Sequence, residues 1–235
     1  MDHLAYQEAF YDELRVGARR SANVIVPMVM DLLHPSSVID LGCGLGTWLS
    51  VFIEQGADDV LGVDGDYVDR GSLEIPEGRF VPFDLSNPFR LDRRFDLVVS
   101  LEVGEHLSTD VADAFVESLT GLGAVILFSA AIPGQNGKGH VNEQWPSYWA
   151  ELFSRRDYVP IDCLRRAIWH DRRVDWWYCQ NIMLFADRRT AETDPVLERE
   201  AERTGSVPMS LIHPEKYLLL LDWIHQTWSS VEDLR

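Results

Sequence analysis

Short apolar runs alternate with stretches of helical spacing through most of the chain, the pattern of a doubly wound α/β sheet. Val38–Leu41, Val60–Asp64, Arg79–Phe83, Phe95–Leu101 and Ala124–Ala130 read as strands. Their nearly unbroken apolar character predicts burial on both faces. Tyr158–Leu164 and Trp176–Ala186 complete a predicted seven-stranded sheet. Helices are predicted over Thr47–Gln55, over Thr109–Leu119, and from Pro146 onward, where Tyr148, Trp149, Leu152 and Phe153 follow at helical spacing. At the N-terminus the pattern predicts two helices. The first covers residues 3–15, with Leu4, Phe10, Tyr11 and Leu14 apolar; the second covers Ser21–Leu33, where Pro27 marks a kink or break. From Thr190 the chain is charged and helical to residue 204, then a connector over Pro208–Pro214 leads to an amphipathic helix, Tyr217–Trp228. The apolar face of that last helix needs cover from its own subunit or from a partner. The expected division is one domain over 1–188, whose residues 1–35 form a helical cap, and a helical extension over 189–235.

The junction of the first strand and helix carries the strongest chemical signal. Gly42, Gly44 and Gly46 stand at alternate positions between Leu41 and Thr47. They allow a tight turn that leaves room for a ligand, and strand, glycine turn and helix form the nucleotide-cradling unit of doubly wound folds. The dinucleotide fingerprint requires a third glycine where Thr47 stands. Asp40, two places before Gly42, would also repel a pyrophosphate but suits a ligand carrying an ammonium group. A second carboxylate, Asp64, closes the second strand 24 positions later, where such units place an acceptor for ribose hydroxyls.

Charge and composition narrow the partners. Among 235 residues, 21 basic against 38 acidic side chains give a net charge of −17. Such a surface repels phosphate backbones, so nucleic acid is not expected as a partner. Cys43, Cys163 and Cys179 have no metal-ligand or pairing spacing, which suits a reducing cytoplasm. No secretory signal and no membrane-spanning run are read from the chain. A soluble cytoplasmic protein acting on a small molecule is expected.

The run Asp40-Leu41-Gly42-Cys43-Gly44-Leu45-Gly46 closely resembles motif I of the class I S-adenosylmethionine-dependent methyltransferases, and Gly62-Val63-Asp64-Gly65-Asp66 matches their second motif. The resemblance covers roughly residues 20–186. It implies S-adenosylmethionine as cofactor and a mostly parallel sheet whose last strand is antiparallel. It also implies cofactor contacts from Asp40, Gly42, Gly44, Asp64, Gly65 and Leu101, and from Asp84 and Leu85, where an acidic residue meets the adenine amino group. The two N-terminal helices resemble the cap of small-molecule methyltransferases, where Arg19 or Arg20 is placed to pair with the methionine carboxylate; a solvated basic turn is the alternative. More narrowly, Glu102-Val103-Gly104-Glu105-His106-Leu107 is similar to the segment after the fourth strand in the ubiquinone O-methyltransferase-like group.

Transfer from a sulfonium needs alignment and removal of a proton from the acceptor. His106 is the leading base, because an ordinary imidazole titrates near neutral pH. His140, on the glycine- and amide-rich loop Ile132–Asn142, is the second. Two other classes stay open. Glu102, Glu105 and His106 fall on one face of a helical turn and, with His140, form a set able to hold a divalent ion, as similar residues do in small-RNA 2′-O-methyltransferases. Alternatively the chain is a non-catalytic cofactor-binding subunit, with the C-terminal helix as a homodimer interface.

The acceptor expectation rests on a local exception in charge. Six arginines, Arg155, Arg156, Arg165, Arg166, Arg172 and Arg173, lie between Arg155 and Arg173 with three aspartates. Tryptophans Trp145, Trp149, Trp169, Trp176 and Trp177 and Tyr178 surround them. The expected pocket holds a small anionic metabolite, methylated on oxygen in a biosynthetic reaction. Arg166, Trp145 and Tyr178 serve it, with Tyr11 of the cap and Glu102 as further contacts. The plainer reading is surface arginines and core tryptophans.

Overall fold

The computed structural model describes residues 3–232, with side chains from 16 to 227. Seven strands are present: β1 (Ser37–Leu41), β2 (Asp59–Asp64), β3 (Phe80–Pro82), β4 (Leu97–Leu101), β5 (Val125–Ser129), β6 (Tyr158–Ile161) and β7 (Met183–Asp187). Their order is β3-β2-β1-β4-β5-β7-β6. The pairs β1–β2, β2–β3, β1–β4 and β4–β5 are parallel, and β7 runs antiparallel to both β5 and β6. The direction of winding reverses between β1 and β4. In open parallel sheets that switch point opens a crevice beyond the carboxyl ends of the strands.

Strand alternation distributes the core over the two faces. Val38, Leu97 and Val99 pack on one side with Ala22, Ile25 and Phe52. Ile39, Leu41 and Val98 pack on the other with Phe115, Leu119 and Phe153. The first layer is built by α1 (His3–Leu33) and α2 (Thr47–Glu54), the second by α3 (Thr109–Leu122) and α4 (Pro146–Ser154).

Two expectations are corrected. The N-terminal helices are one continuous helix, α1, which runs through Gly17 and contains Pro27. Ala22, Ile25, Val26 and Val29 recur at helical spacing and are fully buried, and that packing outweighs the single backbone bond Pro27 cannot make. Gly17 marks a close approach instead: a Cβ there would stand 2.3 Å from Oδ2 of Asp175. The second correction concerns the predicted strands Tyr158–Leu164 and Trp176–Ala186. The first ends at Ile161 and gives way to α5 (Leu164–Ile168). The second begins as α6 (Trp176–Asn181), and only Met183–Asp187 is strand. Helical winding there sends Trp176 and Trp177 toward the crevice and buries Tyr178 edge-on against Trp48, ring centres 5.1 Å apart.

The extension forms α7 (Arg188–Thr193), α8 (Pro195–Gly205) and α9 (Pro214–Glu232). Leu197 of α8 joins the core, while α9 leaves Leu218, Leu219 and Trp223 exposed. Among the described residues no helix is long and apolar enough to cross a membrane.

Candidate active site

The chain enters the site at the end of β1. Gly42 and Cys43 both donate backbone hydrogen bonds to the carbonyl of Val63 at 2.8 and 3.2 Å, fixing the turn to β2. Gly42 has φ +91°, and a Cβ on it would lie 2.2 Å from Cγ2 of Val103, so only glycine fits. Gly44, at φ +54°, has open space where a Cβ would stand. Its N–H donates to Oδ2 of Asp64 at 2.7 Å; Gly65 N donates to Oδ1 at 2.6 Å, and the Tyr67 hydroxyl also donates to Oδ1. Asp40 is buried beneath the turn, and burial, then the charge of Asp64, raises its pKa well above the ordinary value. The N-terminus of α2 is already covered: Thr47 Oγ1 donates to Glu74 at 2.9 Å, and Glu74 N returns a bond to Leu45 O. A pyrophosphate there would face Glu74 as well as the two aspartates.

Beyond β4 the chain turns sharply. Glu102 has φ +55°, an uncommon conformation for a residue with a side chain. Amides pay for the strain by gripping its carboxylate: Gln135 Nε2 donates at 2.8 Å and Asn181 Nδ2 at 3.1 Å. Gln180 and Asn181 also donate to Oε1 of Gln135, so three amides form one buried cluster. A turn over Gly104–His106 follows, where a Cβ on Gly104 would strike Trp149.

Glu105 is fully buried, and neither of its carboxylate oxygens has a hydrogen-bond partner. Burial, then the charge of Glu102, pushes it up to about 9. His106 lies beside it with its Nδ1 3.3 Å from the carbonyl of Gly139, so Nδ1 carries the proton and Nε2 has its lone pair. His140 Nδ1 is 2.8 Å from Oε1 of Glu143, which sets the same tautomer. Glu143 also accepts from Gly134 N and Asn136 N, both at 2.7 Å, and so shapes the loop that carries His140. The two imidazoles meet edge to face at 4.9 Å. Ligand atoms of Glu105, His106 and His140 lie within 4.8 Å of one another.

Glycine turn and histidine pair open on one cleft of about 1740 Å³. That exceeds the roughly 300–1,000 Å³ of a single small-molecule pocket and leaves room for more than one small ligand. Arg20, Gly42, Gly44, Leu101, Glu102, His106, His140 and Tyr178 line it. Asp64 stands behind Gly44, and Gly65 faces the ring of Tyr67.

Several expected residues are elsewhere. Asp84 is exposed and caps its own turn, accepting from Ser86 N, Ser86 Oγ and Asn87 Nδ2; those bonds, the Ser86 hydroxyl foremost, lower its pKa. Leu85 packs on the α3 layer. Trp145 precedes α4, outside the cleft lining. The arginine pocket does not form. Arg166 pairs with Glu200 in a separate cleft; Arg165 is buried in a bidentate pair with Asp162; Arg155 and Arg156 pair with Asp113, and Arg173 with Asp171. Arg165 and Arg166 both sit on α5. Arg172 alone of the six reaches the cleft. Arg19 bonds Ser50 and Glu54, and Arg20 bonds Asp175 and the carbonyl of Arg173. Tyr11 lies outside the described residues. The sequence reading missed Glu143 and the amide cluster; the pair Gln180-Asn181 interrupting an apolar run was the available signal for the latter.

A family model described as a methyltransferase domain matches residues 18–183. The sugar N-methyltransferase KedS8 from Streptoalloteichus sp. ATCC 53650 superposes with a TM-score of 0.60 at 15% identity, over 77% of this chain and 92% of that one. Magnesium protoporphyrin IX methyltransferase from Synechocystis PCC 6803, bound to S-adenosylhomocysteine, gives 0.55 at 18% identity over 73% and 84%. The methyltransferase domain of the bacterial protein CtHen1-C gives 0.53 at 18% identity over 72% and 98%. No curated protein matches the chain in sequence.

Proposed function

Since the chain belongs to the class I S-adenosylmethionine-dependent methyltransferases, we propose that it methylates a hydroxyl oxygen of a small metabolite, with His106 as the base. The observation that carries this reading is the shared cleft: the turn held to Asp64 and the Nε2 of His106 open on the same space. Bound S-adenosylmethionine supplies an activated methyl group. Asp64 would accept the ribose hydroxyls, and the glycine turn, with Asp40 buried beneath it, would receive the amino-acid end. Gly42 and Gly44 fit that role because the backbone must come close, and Gly44 has the room. On the acceptor side, His106 takes the hydroxyl proton at Nε2 while Gly139 holds its Nδ1–H. His140 lies against that ring and is kept in place by Glu143. Incubating the purified chain with methyl-labelled S-adenosylmethionine and a panel of hydroxylated metabolites tests the reading. Label in a methyl ether product supports it; label only in ester or amine products refutes the hydroxyl assignment.

One observation favours a second reading, in which a divalent cation assists. Burial without a donor keeps Glu105 protonated, and a cation would stabilise its charged form. Glu105, His106 and His140 would hold the ion, with Glu102 behind them, and it would lower the pKa of a bound hydroxyl. Activity that survives exhaustive chelation excludes this reading and leaves His106 as the base.

A further inference from the structure

Five of the six arginines expected to serve the acceptor point away, yet Arg172 reaches the cleft and a buried lysine stands behind its wall. Lys216, on the first turn of α9, is only 8% exposed. Its Nζ donates to the carbonyl of Gln135 at 3.0 Å and lies 5.8 Å from the ring centre of Trp176; among the described residues it forms no ion pair. An ammonium has three N–H donors, and the carbonyl takes one. Gln135 and Trp176, its two neighbours, are both walls of the cleft. Arg172 lines the same cleft and makes no hydrogen bond or ion pair among the described residues. The same cleft also presents Glu102, held by Gln135 and Asn181, together with Glu105, Glu215 and Asp175, the last paired with Arg20, and the charge of Glu143 reaches Lys216. Trp176 and Trp177 add two aromatic rings set edge to face, 5.6 Å between centres.

Burial disfavours the Lys216 ammonium more than the charge of Glu143 offsets it, a cost that a ligand anion would relieve. We propose that the methyl acceptor carries an oxyanion, a carboxylate or phosphate ester, received by Lys216 and Arg172, with Trp176 covering the adjoining ring or sugar. The proposal rests on the methyltransferase reading and names its acceptor class. It also gives the C-terminal extension a share in the site, because Lys216 lies outside the α/β sheet domain.

Benzoate, phenyl phosphate and neutral benzamide, titrated separately into the full chain saturated with S-adenosylhomocysteine and followed by calorimetry, test it without a known acceptor. Both anions should bind more tightly than benzamide, and Lys216→Met should weaken them by roughly 10- to 100-fold, the worth of a charge-assisted hydrogen bond. Lys216→Arg should restore most of the loss. Arg172→Met alters an exposed side chain that leaves the fold unaffected, and should weaken the anions to a smaller degree. Equal binding of benzamide and benzoate, no binding of either anion, or full anion binding by both methionine variants overturns the proposal. Failure of S-adenosylhomocysteine to bind at all would overturn the methyltransferase reading beneath it; binding of that ligand with indifference to the anions would overturn this proposal alone.

Discussion

Oε1 of Glu143 lies 2.8 Å from Nδ1 of His140, and the same carboxylate closes the loop by accepting from Gly134 and Asn136. One side chain thereby sets both a tautomer and a loop shape. Glu143→Gln should lower turnover by roughly 10- to 100-fold, as loss of an orienting carboxylate does elsewhere, and leave S-adenosylhomocysteine affinity unchanged. Parallel kinetics and calorimetry check this; an equal fall in cofactor affinity would mean that the loop, not His140, feels the change.

His106→Gln should cost turnover far more, on the order of 10²–10⁴-fold for a lost general base. Burial, then the charge of His140, holds the His106 pKa below its ordinary 6.5. The neutral, proton-accepting form therefore persists into mildly acid solution, and the acid limb of kcat/KM should have its midpoint below that value. A midpoint above neutrality would assign the limb to another group.

The glycine turn separates stability from binding. In Gly42→Ala the new methyl collides with Val103 and the backbone stays at φ +91°, so stability should fall by about 2–4 kcal/mol. Gly44→Ala meets no atom, so it should cost only about 1 kcal/mol for its left-handed backbone. Its methyl enters the cleft, and it should lose more cofactor affinity than stability. Thermal unfolding and calorimetry on both variants would show the contrast; similar melting losses would contradict it.

Glu105 predicts a pH dependence of stability. Its pKa rises from 4.5 to about 9 on folding, so the folded chain keeps a proton that the unfolded chain releases. Its stabilising contribution is complete below about 4.5 and is lost as pH climbs toward about 9. Chelator-treated protein should weaken over that window by at most about 1.4 kcal/mol per pH unit, and Glu105→Gln should flatten the slope. On the cation reading, Mg²⁺ or Mn²⁺ should stabilise the wild type increasingly as pH rises, and not the variant. An identical pH slope in wild type and Glu105→Gln would place the titration elsewhere.

Local pattern made the sheet legible, since β1, β2, β4 and β5 are apolar runs buried on both faces. Asp40, the glycines and Asp64 were legible because the chemistry is concentrated in one turn. Long-range geometry hid the rest. The aromatic run Trp176–Tyr178 has strand-like propensity, but packing against Trp48 winds it into helix. Asp84 has the right residue type at the right spacing, yet it is spent on its own turn. Arginines clustered along the chain separate in space, five of the six paired with carboxylates, whereas Lys216 approaches Gln135 from 81 positions away. No periodicity encodes such a contact.

Cofactor choice is the central claim, and calorimetry on the purified chain tests it most directly. S-adenosylhomocysteine should bind one per chain, and Asp64→Ala should weaken it by about 1–3 kcal/mol through loss of a charged acceptor for the ribose hydroxyls, while NAD and NADP give no heat. Tight binding of a nicotinamide dinucleotide with no binding of S-adenosylhomocysteine would contradict the account.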